Sequence, residues 1–160
     1  MPAGSEIERK FLLKGLPSSL AYARREPIRQ GYIALDGDTE VRVRITPRAR
    51  TLTIKHGRGE TRIEEELELD RRQADALWEL SEGRRVQKVR RRMRIGDAEV
   101  EVEVDEYGGA LDGLVVAEVE FPDEDAAMDF RAPEWFGREL TGEQAYSNRD
   151  LSEHGLPEPT

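Results

Sequence analysis

The sequence predicts an α+β fold, an antiparallel β-barrel of about eight strands with two or three flanking α-helices. Three observations predict it. Short segments alternate apolar and polar residues and end at Gly, Pro or Asp, the pattern of half-buried strands. Two intervening stretches carry apolar residues at helical spacing, one behind Asp70 as a cap and one opened by Pro122-Asp123-Glu124-Asp125. The polar face of nearly every strand is charged, with acidic and basic pairs sorted by strand. Like charges on one face repel unless a ligand or an opposite wall compensates them, so these faces are expected to turn inward.

Taken in order, Glu6 to Leu13 reads as the first strand, and Ile28 to Leu35 as the second, ending at Asp36-Gly37-Asp38. Glu40 to Thr46 and Arg50 to Lys55 form a hairpin about Pro47. His56-Gly57-Arg58-Gly59 then turns the chain into Thr61 to Leu69. Asp70 caps a helix over 71–82 with Ala74, Leu77, Trp78 and Leu80 as its apolar stripe and Gly83 closing it. Val86 to Ile95, Glu99 to Glu106 and Leu114 to Phe121 are further strands, parted by Gly96-Asp97 and by a loop over 107–113. Pro122-Asp123-Glu124-Asp125 opens a second helix, with Ala126, Ala127 and Phe130 inward, that stops before Pro133. A last short helix is expected near Gly142 to Leu151, and 156–160 form a loose tail.

A chain of 160 residues with 37% hydrophobic content fits one domain over 1–160. Its formal net charge of -9 argues against a general nucleic-acid coating, which wants a basic face, while leaving room for a local basic site that takes a small anion. Cysteine is absent, so thiolate metal sites and cysteine nucleophiles are excluded and any metal must be held by carboxylates. Charged residues follow Met1-Pro2-Ala3-Gly4-Ser5 closely, so neither a signal peptide nor a membrane span is drawn, and the expected address is the cytoplasm with no membrane partner. Oligomeric state is left open, a homodimer included.

Residues two apart share a strand face. Glu6, Glu8 and Lys10 therefore lie together, as do Arg42 with Arg44, Glu64 with Glu66, Lys88 with Arg90 and Arg92, Glu99 to Asp105 at alternate positions, and Glu118 with Glu120; Lys55 lies opposite Leu52 and Ile54. For one strand the ordinary explanation is a solvated outer face. Across the whole set, a charged lumen fits better. Such a lumen suits a triphosphate, since each cation near 4 Å contributes about 4 kcal/mol at an effective dielectric of 20. Facing Glu-x-Glu pairs suit Mg²⁺, with Mn²⁺ as the alternative. No nucleophile triad can be assembled: His56 falls in a turn and His154 in the tail. The chemistry left is in-line attack by metal-positioned water, with basic residues stabilising the developing charge.

The run Glu6-Ile7-Glu8-Arg9-Lys10 resembles the N-terminal Glu-x-Glu-x-Lys signature of the CYTH superfamily, the triphosphate tunnel metalloenzymes. Arg42-Val43-Arg44, Thr53-Ile54-Lys55, Glu64-Glu65-Glu66, Lys88-Val89-Arg90, the Asp105 strand and Glu118-Val119-Glu120-Phe121 follow in the family's order, and the segment from Leu140 to Leu151 is similar to the end of short bacterial members. The resemblance implies an eight-stranded tunnel in which Lys10, Arg42, Arg44, Lys55, Lys88 and Arg90 contact the triphosphate. It implies Glu6, Glu8, Glu118 and Glu120, with Asp105, as metal ligands, and Glu64 and Glu66 in support. Glu8, Lys10, Lys88 and Tyr32 are the residues expected to act in catalysis; Tyr32 is weighed equally as a core aromatic. Short members resemble tripolyphosphatases. Thiamine triphosphate hydrolysis, class IV adenylate cyclisation and a non-catalytic polyphosphate or nucleotide sensor are the alternatives.

Overall fold

The computed structural model describes residues 7–58, 61–97 and 99–158. Among them are nine strands and three α-helices, and every strand pairing described is antiparallel. The chain falls into two compact units, Met1–Glu26 with Lys88–Gln144, and Pro27–Gln87 with Ala145–Thr160.

The first unit is built on β1 (Ile7–Leu13), most of β6 (Arg85–Ile95), β7 (Val100–Tyr107), β8 (Val115–Phe121) and β9 (Phe136–Glu139), hydrogen-bonded in the order β6-β7-β8-β1-β9. Alternation sends Phe11, Leu13, Val102, Val104, Ala117, Val119 and Phe121 to one side, where they form a buried core with Leu20, Ala127 and Phe136. Phe11, Phe121, Phe130, Trp135 and Phe136 make tilted and edge-on contacts with centroids 4.6 to 6.2 Å apart. Arg9 shares this side and acts as a clip. Its guanidinium donates to both Glu139 carboxylate oxygens, at 3.1 and 2.6 Å, and to the carbonyls of Ala127 and Phe130, at 2.8 and 3.1 Å. It thereby ties β9 and the end of α2 (Glu124–Asp129) to β1. The Asp123 side chain, in the run expected to open this helix, caps α2 by accepting from Ala126 N–H at 2.7 Å. Phe130, expected on the buried side of that helix, is instead its C-terminal cap residue and reaches the aromatic cluster from there.

The second unit orders its strands β5-β4-β3-β2, from β2 (Glu26–Asp36), β3 (Thr39–Ile45), β4 (Arg50–His56) and β5 (Ile63–Glu68). Helix α1 (Arg71–Glu79) starts in a capping box: Asp70 accepts from Gln73 N–H at 2.8 Å while the Gln73 side chain accepts from Asp70 N–H at 2.9 Å. It ends earlier than the spacing predicts. Leu80 is the C-cap and is 61% exposed, so it leaves the apolar stripe. The turn that follows packs onto β2 at Gly31, where an added Cβ would lie 2.2 Å from Ser81 Oγ. Trp78 is half-buried, with the Arg29 and Arg85 guanidinium groups 5.1 and 4.4 Å from its ring. The expected last helix divides into a short 3-10 turn at Gln144–Tyr146 and α3 (Asn148–His154), capped by Ser147.

Two expectations are corrected. The strand β9 adds to the expected set, so the described residues hold nine strands in place of eight. Among the described residues β9 pairs only with β1 and β5 only with β4, so the hydrogen bonding does not close into the expected ring. No described helix is long and apolar enough to cross a membrane.

Candidate functional site: two charged sheet faces

In the first unit the side of the sheet opposite the aromatic core carries most of the ionic residues, and strand register arranges them in transverse rows. One row runs Glu8, Glu120, Glu101, Arg94, and the next runs Lys10, Glu118, Glu103, Arg92. Directly opposed side chains start about 5 Å apart at Cβ, so Glu8 and Glu120 are neighbours with like charge. Lys10 Nζ stands 4.0 Å from Glu118 Oε1. Arg90 binds Glu103 at 3.0 Å, and Arg92 bridges Glu103 at 3.2 Å to Glu26 at 3.1 Å.

The row below is tighter. Arg90 donates from Nε and Nη2 to the two Asp105 oxygens at 2.8 and 3.0 Å, and Lys88 Nζ reaches Asp105 Oδ2 at 2.9 Å. The Lys88 ammonium also lies 5.4 Å from the Tyr107 ring centre. Burial alone would raise the Asp105 carboxyl, but the Lys88 and Arg90 charges and hydrogen bonds outweigh it and hold the group at about 2. Burial pulls the other way on Arg90, and its bonds to Asp105 keep its pKa above the ordinary value. Asp105, expected among the metal ligands, is thus the counter-ion of two cations. Lys88, expected against the substrate, has only 1% of its side chain exposed.

The second unit holds its own charged face. Its rows are Gln30, Arg44, Thr51, Glu68; then Tyr32, Arg42, Thr53, Glu66; then Leu35, Glu40, Lys55, Glu64. Arg42 Nη1 lies 3.4 Å from Glu40, and its Nε is buried with no hydrogen-bond partner. Lys55 Nζ is 3.9 Å from Glu64, which Arg62 also approaches at 3.5 Å. Burial lowers the Lys55 pKa, and the neighbouring Arg42 charge adds to that. Tyr32 is buried and its pKa is raised, first by burial and then by Glu40. His56 is occupied with Thr39, at 2.7 Å.

A CYTH-domain model matches residues 4–153. This chain belongs to the CYTH family. An inorganic triphosphatase of Nitrosomonas europaea is 40% identical over 149 residues, spanning 92% of this chain and 97% of that protein. An inorganic triphosphatase of Acetivibrio thermocellus is 39% identical over 150 residues, spanning 92% and 93%. A solved structure of an inorganic triphosphatase superposes with a TM-score of 0.80 at 35% identity, covering 96% of this chain and 98% of that one.

Of the CYTH signature, Glu6 lies outside the described residues, while Glu8 and Lys10 are on β1 beside Glu120 and Glu118. The donor chemistry fits a divalent cation: Glu8 and Glu120, both hard carboxylate donors, are cross-strand partners, and Mg²⁺ usually takes only one or two protein carboxylates, with phosphate and water completing its shell. Among the described residues no three acids are already drawn into a metal-holding cluster. One residue of the second unit's charged face lies outside the expected set. Gln30 is fully buried within the charged face and joins Tyr32 to Arg44. Its amide is neutral, so a search for charge pairs passes over it.

Proposed function

We propose that this CYTH protein is a Mg²⁺-dependent inorganic triphosphatase, with Mn²⁺ as an alternative cation, that adds water to tripolyphosphate and releases orthophosphate and pyrophosphate. The observation that carries this reading is the pair of near-full-length relatives named inorganic triphosphatase. On the resemblance to the CYTH signature, Lys10, Arg42, Arg44, Lys55 and Arg90 are assigned to the phosphate chain. A lysine whose charged form is penalised by burial, as at Lys55, gains more from an anionic ligand than an exposed one does. Lys88 anchors Asp105 and Arg90 and adds positive potential to that face. Glu8, Glu118 and Glu120, with Glu6, are assigned to the metal, and Glu64 and Glu66 support Lys55 and its neighbours. The bound cation supplies charge neutralisation on the phosphate and orientation of the attacking water. Tyr32 stays protonated at neutral pH and acts as a hydrogen-bond donor to a phosphate oxygen. The whole chain serves as one catalytic domain in the cytoplasm.

Phosphate release from tripolyphosphate, ATP and thiamine triphosphate, each with Mg²⁺ and with Mn²⁺, tests this. Tripolyphosphate is expected to lead in kcat/KM by at least about tenfold, the value of one lost charge-assisted contact in the others. Saturable binding without turnover in either metal, or a clear preference for ATP or thiamine triphosphate, would overturn it.

A further inference from the structure

Gln30 has no exposed surface, yet both ends of its amide are engaged: Oε1 accepts from Arg44 Nε at 2.8 Å, and Nε2 donates to the Tyr32 oxygen at 2.7 Å. The orientation of that amide is dictated by its partners. Arginine Nε is only ever a donor, so the amide oxygen must face Arg44 and the nitrogen must face Tyr32. Tyr32 is then an acceptor towards Gln30, and its own hydrogen has to leave in another direction. Glu40 and Arg42 are the charged groups acting on that hydroxyl from β3.

We infer that Gln30 is a positioning residue: its amide holds Arg44 by the Nε edge and turns the Tyr32 hydroxyl so that its proton is donated outward, to an oxygen of the triphosphate. The inference rests on the function proposed above and assigns a direction to each hydrogen bond in the chain Arg44 to Gln30 to Tyr32 to substrate. Burial of Tyr32 is consistent with it, since a desolvated phenol keeps its proton.

The test uses the full chain with tripolyphosphate and Mg²⁺. Gln30→Glu keeps an acceptor for Arg44 but replaces the donor facing Tyr32 with a second acceptor, so the phenol proton is drawn inward. KM is expected to stay within about threefold of wild type while kcat falls roughly tenfold or more, the worth of one hydrogen bond to a charged group. In a Tyr32→Phe background the same substitution should cost nothing further in kcat. Gln30→Leu removes both bonds, so KM should rise as well, and that rise should vanish in an Arg44→Ala background. Thermal melts separate folding from function; should Gln30→Leu not fold, the Gln30→Glu and Tyr32→Phe cycle stands alone. A kcat for Gln30→Glu equal to wild type, or the same fractional loss in both backgrounds, overturns the inference and leaves the triphosphatase standing. Absence of wild-type turnover on tripolyphosphate overturns both.

Discussion

Substituting Asp105 by Asn probes the most enclosed ion pair of the first charged face. Asp105 is 5% exposed and its carboxylate holds Lys88 and Arg90 at 2.8 to 3.0 Å. Its pKa is about 2 against an ordinary 3.8. Because the folded value is depressed, the stabilisation is fully present above about pH 4 and is lost as pH falls towards about 2. At roughly 1.4 kcal/mol for each pH unit of separation, the contribution is on the order of 2–3 kcal/mol. Asn keeps one acceptor for Arg90 but removes the carboxylate charge that faces the buried Lys88 ammonium at 2.9 Å, and breaking a buried pair from one side costs roughly 3–5 kcal/mol. The expected loss at pH 7 is about 3 kcal/mol, or roughly 6–12 °C in Tm for a chain of this size. Urea unfolding followed by tryptophan fluorescence at pH 7, 4 and 2.5 reads it directly. The gap between wild type and Asp105→Asn should narrow as acid removes the wild-type advantage. Replacing Lys88 together with Asp105, as Lys88→Met with Asp105→Leu, should recover part of the stability, since Arg90 keeps Glu103 at 3.0 Å but loses its two bonds to Asp105. A single variant within about 0.5 kcal/mol of wild type at pH 7, the range of a neutral surface change, or a gap indifferent to acid, would refute the reasoning.

Glu8→Gln and Glu120→Gln should each raise the Mg²⁺ concentration needed for half-maximal turnover while leaving metal-free tripolyphosphate binding intact by calorimetry; an unchanged metal requirement would remove both from the ligand set. Burial and Arg42 lower the Lys55 pKa, so its contribution to substrate binding should fade with rising pH before an ordinary lysine loses its charge. The affinity profile should therefore fall early in wild type and stay flatter in Lys55→Arg. Gly31→Ala drives a methyl into Ser81 and should cost about 1–3 kcal/mol in thermal melts, partly restored by Ser81→Gly.

Much of this was legible because alternation is a strong signal. Val102-Glu103-Val104-Asp105 can be read as a two-faced strand from side-chain direction alone, and Asp70 with Gln73 announces a helix start. The missed pieces share a cause: they depend on partners distant in the chain. β9 is four residues long, contains Gly137, and forms beside β1, where an added Cβ on that glycine would meet Leu12 O at 2.7 Å. Leu80 satisfies helical spacing from Leu77, but the chain has already turned there. Lys88 and Asp105 were both singled out, yet only the β6-β7 register, with Arg90 facing Asp105, makes one the counter-ion of the other. Gln30 carries no charge or motif; its burial between an arginine and a tyrosine depends on strand pairing.

Every residue of β5 is exposed, and Glu64, Glu65, Glu66 and Glu68 fill most of this edge strand. A second copy docking there edge to edge would bring carboxylate rows within one strand spacing, about 4.8 Å. Screening reaches about 10 Å at 0.1 M salt and about 3 Å at 1 M. The mutual repulsion therefore survives dilute buffer and fades in brine, where Ile63 and Leu67 on the same strand become a route to clumping and the protein's solubility should fall as salt is added.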